Sequence, residues 1–379
     1  MRTLVISDMH FGAWTGDPLL QHEWARWRLA EALDGIDELV LLGDLFDFLF
    51  SPVQAAFAKA DGFFSLLEQR LAGKRVVFLA GNHDHHIIVR ELRTAVELRV
   101  SVGDEALEQA FAMHRSFFQR FLDRRLPKVE SLIAYPAHQV DDVLCFHGHY
   151  LDAHMRGSLQ DRLLRAAIWR VAGGRPPEGL EIEDYEAIIV PLTELLFTVA
   201  QLPRGTAAQR AFQHQLGRLG RILSLASTPR RELRRIRCRL DGNARSVAAE
   251  VARSCSPIDP PSEALHAYGQ VVRNLGWDKV ARKMVFGHTH QPLDGVLDEA
   301  CGALRFWNTG SWIYEPMIGS QDSWERYLDL AWPGTAVLID TACEAPQLLH
   351  LLSDQNPRLR YPGRAVPRPR GRHYRAATA

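Results

Sequence analysis

The chain has no apolar run of about 18 residues, the length that a membrane-spanning helix needs. No basic and apolar leader precedes the first predicted strand, Thr3–Ile6, so we expect a soluble, cytoplasmic protein. Acidic and basic side chains balance at 45 each, and this balance gives no argument for an obligate nucleic-acid or membrane partner. With 379 residues, 46% hydrophobic and 24% charged, the composition is that of one large or two ordinary folded domains.

Cysteine is scarce, and no two cysteines form a Cys-x-x-Cys pair. The five are Cys145, Cys238, Cys255, Cys301 and Cys343. Their odd number and scattered positions argue against a disulfide framework and against a thiolate metal site. We therefore expect reduced thiols in the core.

Short acidic and histidine-bearing motifs are present instead, and each follows an apolar run of strand length. They are Asp8-Met9-His10, Gly43-Asp44-Leu45-Phe46-Asp47, Gly81-Asn82-His83-Asp84, His147-Gly148-His149 and Gly287-His288-Thr289-His290. Two divalent metals about 3.5–4 Å apart need oxygen and nitrogen ligands from separate segments, with one carboxylate shared. The side chains that could supply them are Asp8, His10, Asp44, Asn82, His147, His288 and His290. The motifs thus predict a dinuclear metal site.

Apolar runs bounded by Gly, Asp or Asn predict the strands that carry these motifs. The predicted strands are Leu4–Ile6, Glu38–Leu42, Arg75–Leu79, Val143–Phe146, Met284–Phe286, Leu304–Trp307 and Ala336–Ile339. Helical patterns at Leu19–Leu33 and Ala55–Leu71 separate the first three strands, which gives a β-α-β-α-β order. The carboxyl ends of parallel strands share one edge of a sheet, so this order brings Asp8, Asp44 and Asn82 together.

The ordered motifs resemble those of the calcineurin-like metallophosphoesterase superfamily, from residue 3 to residue 312. A single motif of this kind is common by chance, whereas the joint order is specific. The resemblance implies an α/β fold, a four-layer sandwich of two mixed sheets flanked by helices. It also implies that Asp8, His10 and His290 bind one metal and that Asn82, His147 and His288 bind the other. Asp44 would bridge the two ions, which this ligand chemistry suggests are Mn, Fe or Zn.

The resemblance implies hydrolysis of a phosphoester. A water held between two dications loses a proton near neutral pH, and the metal-bridging hydroxide can attack phosphorus in line. His83 would act as general acid for the leaving oxygen, with Asp84 orienting its imidazole. Asp47 and His149 would orient metal ligands, although Asp47 could instead cap the following helix.

The turn at Asn308 resembles the Asn-Gly-Ser turn that family members place beside the metals. Its sequence is Asn308-Thr309-Gly310-Ser311-Trp312, where glycine and small polar groups let the backbone approach closely. A plain turn at the end of a strand is the alternative.

Outside the motifs, the pattern predicts three regions. Residues 1–103 and 281–345, with strand 143–147, form the core, and 104–280 form a mostly helical insertion that selects the substrate. Within it, Ala106–Leu126 and Ala187–Leu202 are either core-packing helices or an apolar cap for a lipid or nucleoside, with weak peripheral lipid contact. The charge run Arg230–Arg239 is a solvated helix face or a phosphate-binding patch. The Pro- and Arg-rich residues 356–379 are expected to be a disordered tail.

The sequence leaves three classes of substrate open: a phosphodiester, a pyrophosphate or a phosphomonoester. Gly-Asp-Leu-Phe-Asp and the long insertion resemble the UDP-2,3-diacylglucosamine pyrophosphohydrolases, which commonly carry arginine where His83 stands. His83 instead matches the phosphodiesterase and phosphatase branches. A non-enzymatic scaffold on the same fold is a further alternative, and such a protein should have lost metal ligands, none of which is missing.

Overall fold

The computed structural model describes residues 1–13, 16–94, 117–154, 179–202, 261–298, 303–316, 321–369 and 374. Its strands are β1 (Arg2–Ile6), β2 (Asp17–Pro18), β3 (Glu38–Leu42), β4 (Arg75–Leu79), β5 (Glu130–Ala134), β6 (Ala137–Val140), β7 (Val143–Phe146), β8 (Lys283–Phe286), β9 (Leu293–Asp298), β10 (Leu304–Asn308), β11 (Ile313–Tyr314), β12 (Thr335–Asp340) and β13 (Gln347–His350). Its helices of nine or more residues are α1 (Glu23–Ala32), α2 (Val53–Arg70), α3 (Phe117–Arg125), α4 (Ile182–Ala200), α5 (Pro261–Asn274) and α6 (Gln321–Leu330). Within these ranges no helix is long and apolar enough to span a bilayer.

Two mixed sheets form the centre of the fold. The first has the order β13-β12-β1-β3-β4-β5, in which β1, β3, β4 and β5 run parallel. The second has the order β6-β7-β8-β10-β9, in which β7, β8 and β10 run parallel. A small two-stranded ladder joins β2 to β11.

The alternation of side chains along the strands divides the core into layers. Val5 and Val40 of the first sheet face Val285 and Trp307 of the second across a buried cluster. On its other face the first sheet packs against α1, α2 and α3, and the second sheet packs against α4 and α5. The fold is therefore the expected α/β sandwich of two mixed sheets flanked by helices.

All seven strands expected from apolar runs are present, and the first three are parallel as predicted. Val143–Phe146 is the one strand predicted within residues 104–280, and the structure adds two more, Glu130–Ala134 and Ala137–Val140. Both lie at sheet edges and are partly exposed, so neither has the apolar run that marks a buried strand.

The C-terminal prediction also needs correction. Residues 356–369 and Tyr374 are folded against the core: Val366 is 2% exposed, and Arg358 donates to both carboxylate oxygens of Asp329 at 2.8 Å. Arginine-rich composition did not exclude packing here, because acidic side chains of α6 pair with the basic segment.

The expectation of core thiols is confirmed at Cys145, which is buried between the sheets, and is wrong at Cys343, which is exposed in a turn. Cys238, Cys255 and Cys301 lie outside the described residues. So do the charge run Arg230–Arg239 and most of the proposed insertion, whose role stays a prediction.

Candidate metal centre

The predicted ligands meet where the parallel strands of both sheets end. Asp8 and His10 follow β1, Asp44 follows β3, and Asn82 follows β4. His147 follows β7, and both His288 and His290 follow β8. Because parallel strands place their carboxyl ends at one edge, two sheets packed face to face bring all seven side chains into one site.

Backbone conformation at this edge is unusual. Asp8, His10, Asp44, His288 and His290 all have positive φ values between 50° and 67°. Such left-handed backbone is uncommon for residues other than glycine and clusters at functional sites.

Neighbouring glycines allow these loops to approach closely. A Cβ atom at Gly81 would lie 2.7 Å from His147 Nε2 and closer still to Asp44 Oδ1. A Cβ at Gly43 would lie against the His147 ring. The motif glycines are therefore needed for the packing of the site itself.

The two carboxylates each have one oxygen held by donors and one facing the histidines. Asp8 Oδ2 accepts from Ser7 Oγ and from the His288 backbone N–H at 2.9 Å. Asp8 Oδ1 has no hydrogen-bond partner among the described residues and lies 3.2 Å from His290 Nε2.

Asp44 is placed between the two groups of ligands. Its Oδ1 accepts from the His83 backbone N–H at 2.8 Å, whereas Oδ2 lies 3.3 Å from His147 Nε2 and 3.8 Å from His10 Nε2. One Asp44 oxygen thus faces histidines of both groups.

Three histidines each have an outer ring nitrogen, directed away from the cluster, and an inner one, directed toward it. Each outer nitrogen contacts an oxygen that can only accept a hydrogen bond. His147 Nδ1 donates to the Leu42 carbonyl at 2.8 Å, His288 Nε2 to Asp152 at 3.0 Å, and His290 Nδ1 to Glu315 at 3.0 Å. In the neutral imidazole the inner nitrogen then carries a lone pair. Those inner nitrogens lie close to further acceptors: His288 Nδ1 is 3.0 Å and His147 Nε2 is 3.3 Å from Asn82 Oδ1.

This arrangement fits a bound cation. Lone pairs about 3 Å apart repel unless a proton or a metal lies between them. Three groups of side chains each have potential ligand atoms within 4.8 Å of one another: Asp8 with His10 and His290, Asp44 with His147 and His288, and His10 with Asp44 and His83. The donors are oxygen and imidazole nitrogen, without sulfur, which suits Mn, Fe or Zn.

The electrostatics of the site reflect the same packing. Burial raises the pKa of Asp8, but His290 and His10 together lower it well below its ordinary value. Burial lowers the pKa of His147, and the Asp44 carboxylate outweighs this effect and raises it to about 9. The cluster therefore attracts positive charge.

His83 lies at the edge of the cluster, with its ring 4.6 Å from that of His10 and its side chain 22% exposed. Its Nδ1 donates to Asp47 Oδ1 at 3.0 Å. Burial lowers the pKa of His83, but the carboxylates of Asp44 and Asp47 raise it to about 9. The expectation that Asp84 orients this ring is wrong, because Asp47 does so.

Asp84 instead joins two loops through backbone donors. Its oxygens accept from the N–H groups of Gly81 at 2.7 Å, Leu45 at 2.8 Å and Phe46 at 3.3 Å. Burial and the nearby Asp44 raise the pKa of Asp84 to about 7. The alternative for Asp47 is also wrong, since α2 begins at Val53 without a side-chain cap.

His149 and Asn308 were both expected beside the ligands. His149 is buried next to His147, yet its ring nitrogens have no hydrogen-bond partner in the described part of the chain, so it orients no ligand there. Asn308 Nδ2 donates to Gly287 O at 3.0 Å and to Thr289 Oγ1 at 2.9 Å. Asn308 thus supports the loop that carries His288 and His290 and is more than a plain turn.

Sequence reasoning missed Glu315 and Asp152, the two acidic residues bound to ligand histidines. Neither lies in one of the five motifs, and Glu315 is 25 residues from His290. Only tertiary structure reveals the pairing of His290 with Glu315. A weak signal existed for Asp152, which stands five residues after His147 in the short helix His149–Ala153.

Comparison with protein families agrees with this site. The calcineurin-like phosphoesterase family model matches residues 1–182. Residues 1–182, just under half of the chain, are therefore similar to this family. The matched residues include Asp8, His10, Asp44, Asn82 and His147, and the fold adds His288 and His290. No curated protein matches the chain.

This similarity supports a metal-dependent phosphoesterase, a hydrolase acting on phosphoester bonds. The Asp and His clusters are groups that could bind the metal.

Proposed function

We propose that the chain hydrolyses a phosphoester at two divalent metal ions, Mn, Fe or Zn, with His83 as general acid. The observation that carries this proposal is the position of Asp44 Oδ2 between histidines of both ligand groups, because a shared carboxylate is what two adjacent ions need.

Each ion would have its own ligands. Asp8, His10 and His290 would hold the first ion, Asn82, His147 and His288 would hold the second, and Asp44 would bind both. Asn82 contributes a neutral oxygen, which limits negative charge where an anionic phosphate must approach. When bound, the ions would lower the pKa of a water and offset charge on the phosphoryl oxygens.

The protonation of the leaving oxygen falls to His83. Asp47 accepts from Nδ1, so Nε2 is the ring nitrogen left to give a proton to substrate. The Asp47 carboxylate also stabilises the imidazolium form of His83. Asp84 acts indirectly in this scheme, by holding the loop on which Asn82 and His83 stand.

The test compares two leaving groups in His83→Ala. We expect turnover to fall about 10²–10⁴-fold with an alkyl phosphodiester, the usual range for a general acid. With a p-nitrophenyl diester the loss should be much smaller, because that phenolate leaves without a proton. An equal loss on both substrates would contradict the assigned role.

A matched control is His86→Ala, which removes a histidine of the same loop that faces α4 and pairs with Glu194 at 2.9 Å. Its ratio of alkyl to p-nitrophenyl turnover should equal that of the wild type. Metal content should remain unchanged in both variants, because neither side chain is a proposed ligand.

The substrate is proposed only by class: a phosphodiester, a pyrophosphate or a phosphomonoester. A turnover screen of one member of each class, including a UDP-linked pyrophosphate, separates them. Turnover of none, in a protein loaded with Mn, Fe or Zn, would contradict the enzymatic proposal and favour a scaffold.

A further inference from the structure

Two proposed ligands, His290 and His288, contact a carboxylate outside the ligand set. His290 Nδ1 donates to Glu315 Oε2, and His288 Nε2 donates to Asp152 Oδ1, each at 3.0 Å. The two contacts have equal length and differ in exposure. The Glu315 side chain is 17% exposed, whereas that of Asp152 is 57% exposed.

We propose that Glu315 is a positioning residue for the first metal: by accepting from His290 Nδ1 it keeps the Nε2 lone pair directed into the site. This inference rests on the metal centre proposed above. A carboxylate on the far side of a ligand imidazole fixes its tautomer and ring orientation and raises its basicity.

The direction of the ring supports this role. With Nδ1 turned toward Glu315, Nε2 lies 3.2 Å from Asp8 Oδ1 and 3.1 Å from His10 Nε2. These are the other atoms of the first ligand group. Without an acceptor at Nδ1, the ring proton of His290 could move to Nε2, or the ring could rotate. Either change would remove a ligand.

Glu315 is itself held rigidly. Its backbone N–H donates to the hydroxyl of Tyr327, a buried residue of α6, at 3.1 Å. The preceding residues form β11, which pairs with β2. Because the backbone is already held, only the side-chain torsions of Glu315 must be ordered when its carboxylate meets His290.

Asp152 should matter less at the second metal. Water competes for a carboxylate that is more than half exposed, and its interaction with His288 is screened. The contact of His288 with Asp152 therefore serves as a control, because it has the same chemistry and length but a more exposed carboxylate.

The experiment is a calorimetric titration of metal-free protein with Mn²⁺, using Glu315→Ala and Asp152→Ala. We expect Glu315→Ala to weaken one of the two binding events about 10–100-fold. Asp152→Ala should weaken binding by less than about fivefold. Glu315→Gln, which restores an acceptor oxygen, should recover part of the affinity lost in Glu315→Ala.

Thermal unfolding of the metal-free variants serves as the folding check, and only variants that unfold cooperatively are compared. Mn²⁺ affinity of Glu315→Ala within about threefold of the wild type would overturn the inference, as would Glu315→Gln binding no better than Glu315→Ala. Failure of the wild type to bind Mn²⁺, Fe²⁺ and Zn²⁺ alike would instead overturn the proposed metal centre.

Discussion

Individual residues at the site are held by main-chain contacts between motifs. The Asp8 N–H donates to Gly43 O at 3.1 Å, and the His10 N–H donates to Asp44 O at 2.9 Å. Left-handed backbone at such residues costs roughly 1–3 kcal/mol each and persists only where the surroundings over-determine it. The loops therefore stabilise one another, and part of the folding free energy maintains the ligand geometry.

Glu38 is a buried charge at the start of β3, the end of the strand opposite to the candidate ligand Asp44. Burial raises the pKa of its carboxyl, but His138, Arg75 and Thr3 together lower it below its ordinary value. Its Oε1 lies 3.4 Å from His138 Nε2 on β6, so the contact crosses from one sheet to the other.

This shift predicts a dependence of stability on pH. Because the folded-state pKa of Glu38 is below the unfolded value, its stabilising contribution is present above the unfolded pKa and is lost as pH falls through the folded pKa. Glu38→Gln should therefore reduce the drop in the free energy of unfolding between about pH 6 and pH 3, measured by urea denaturation. An unchanged pH profile would contradict the role of this carboxylate.

At the residue scale, sequence identified the candidate ligands but not the side chains that support them. The seven ligand candidates lie in short motifs at strand ends, so local pattern suffices to find them. The pairings of His83 with Asp47 and of His290 with Glu315 depend on loops that approach only in the folded chain. For this reason Asp84, the sequence neighbour of His83, was wrongly given the orienting role.

At the scale of elements, α4 packs beside the loop that follows Asn82. Glu186 on this helix contacts His85 Nε2 at 2.8 Å and accepts from the hydroxyls of Tyr135 and Tyr150. About three helical turns further along, Phe197 stacks on the ring of His86 with ring centroids 3.5 Å apart. Ile188 of this helix is buried among residues of the second sheet and α5, whereas Leu195 is 52% exposed, so the choice between a core-packing helix and a cap stays a prediction.

Glu186 should be the main polar anchor of this helix. Burial raises its pKa, but His85 and the two tyrosines together lower it, so the buried carboxylate depends on these partners. Glu186→Ala should lower the free energy of unfolding by about 3–5 kcal/mol, because it leaves a buried network incomplete. Urea denaturation provides the measurement.

Glu194 on the same helix offers the comparison. It pairs with His86 at 2.9 Å, but its side chain is 23% exposed and its second partner, Arg93, is 70% exposed. Glu194→Ala should cost at most about 1 kcal/mol. Equal losses in the free energy of unfolding for Glu186→Ala and Glu194→Ala would show that burial does not determine how much each contact stabilises the helix.

Elements differ in how well sequence predicts them. Central strands such as β3 are buried along their whole length and form continuous apolar runs. Edge strands such as β5 expose about every second residue or more, and their pairing depends on a neighbour that is distant in sequence. Edge strands were therefore missed, although the parallel centre and the site edge were predicted.

At the scale of the whole molecule, the C-terminal segment, residues 356–369 and Tyr374, packs against α6 and β11. The main chain of Val366 contacts α6 through Glu325 at 2.8 Å and Trp324 at 3.2 Å. Farther on, Tyr374 packs on Tyr314 with ring centroids 5.1 Å apart. Tyr314 directly precedes Glu315, so the segment packs against the strand next to the proposed positioning residue.

Removal of residues 361–379 should therefore destabilise the protein. Loss of buried Val366 and its hydrogen bonds predicts a decrease of at least about 2 kcal/mol in the free energy of unfolding. Leu359→Ala in the full chain is the control, because Leu359 is 65% exposed and should change stability by less than about 0.5 kcal/mol. A truncated chain as stable as the full one would restore the expectation of a disordered tail.

The metal content of wild-type protein and of Asp44→Asn tests the central claim most directly. Asparagine keeps an oxygen that can accept from the His83 N–H, so the loop should fold, while the charge shared by both ions is lost. Elemental analysis after saturation with Mn²⁺ and removal of free metal should find about two ions per wild-type chain and at most one in the variant. One ion or none in the wild type, or two retained in Asp44→Asn, would contradict a dinuclear centre built on Asp44.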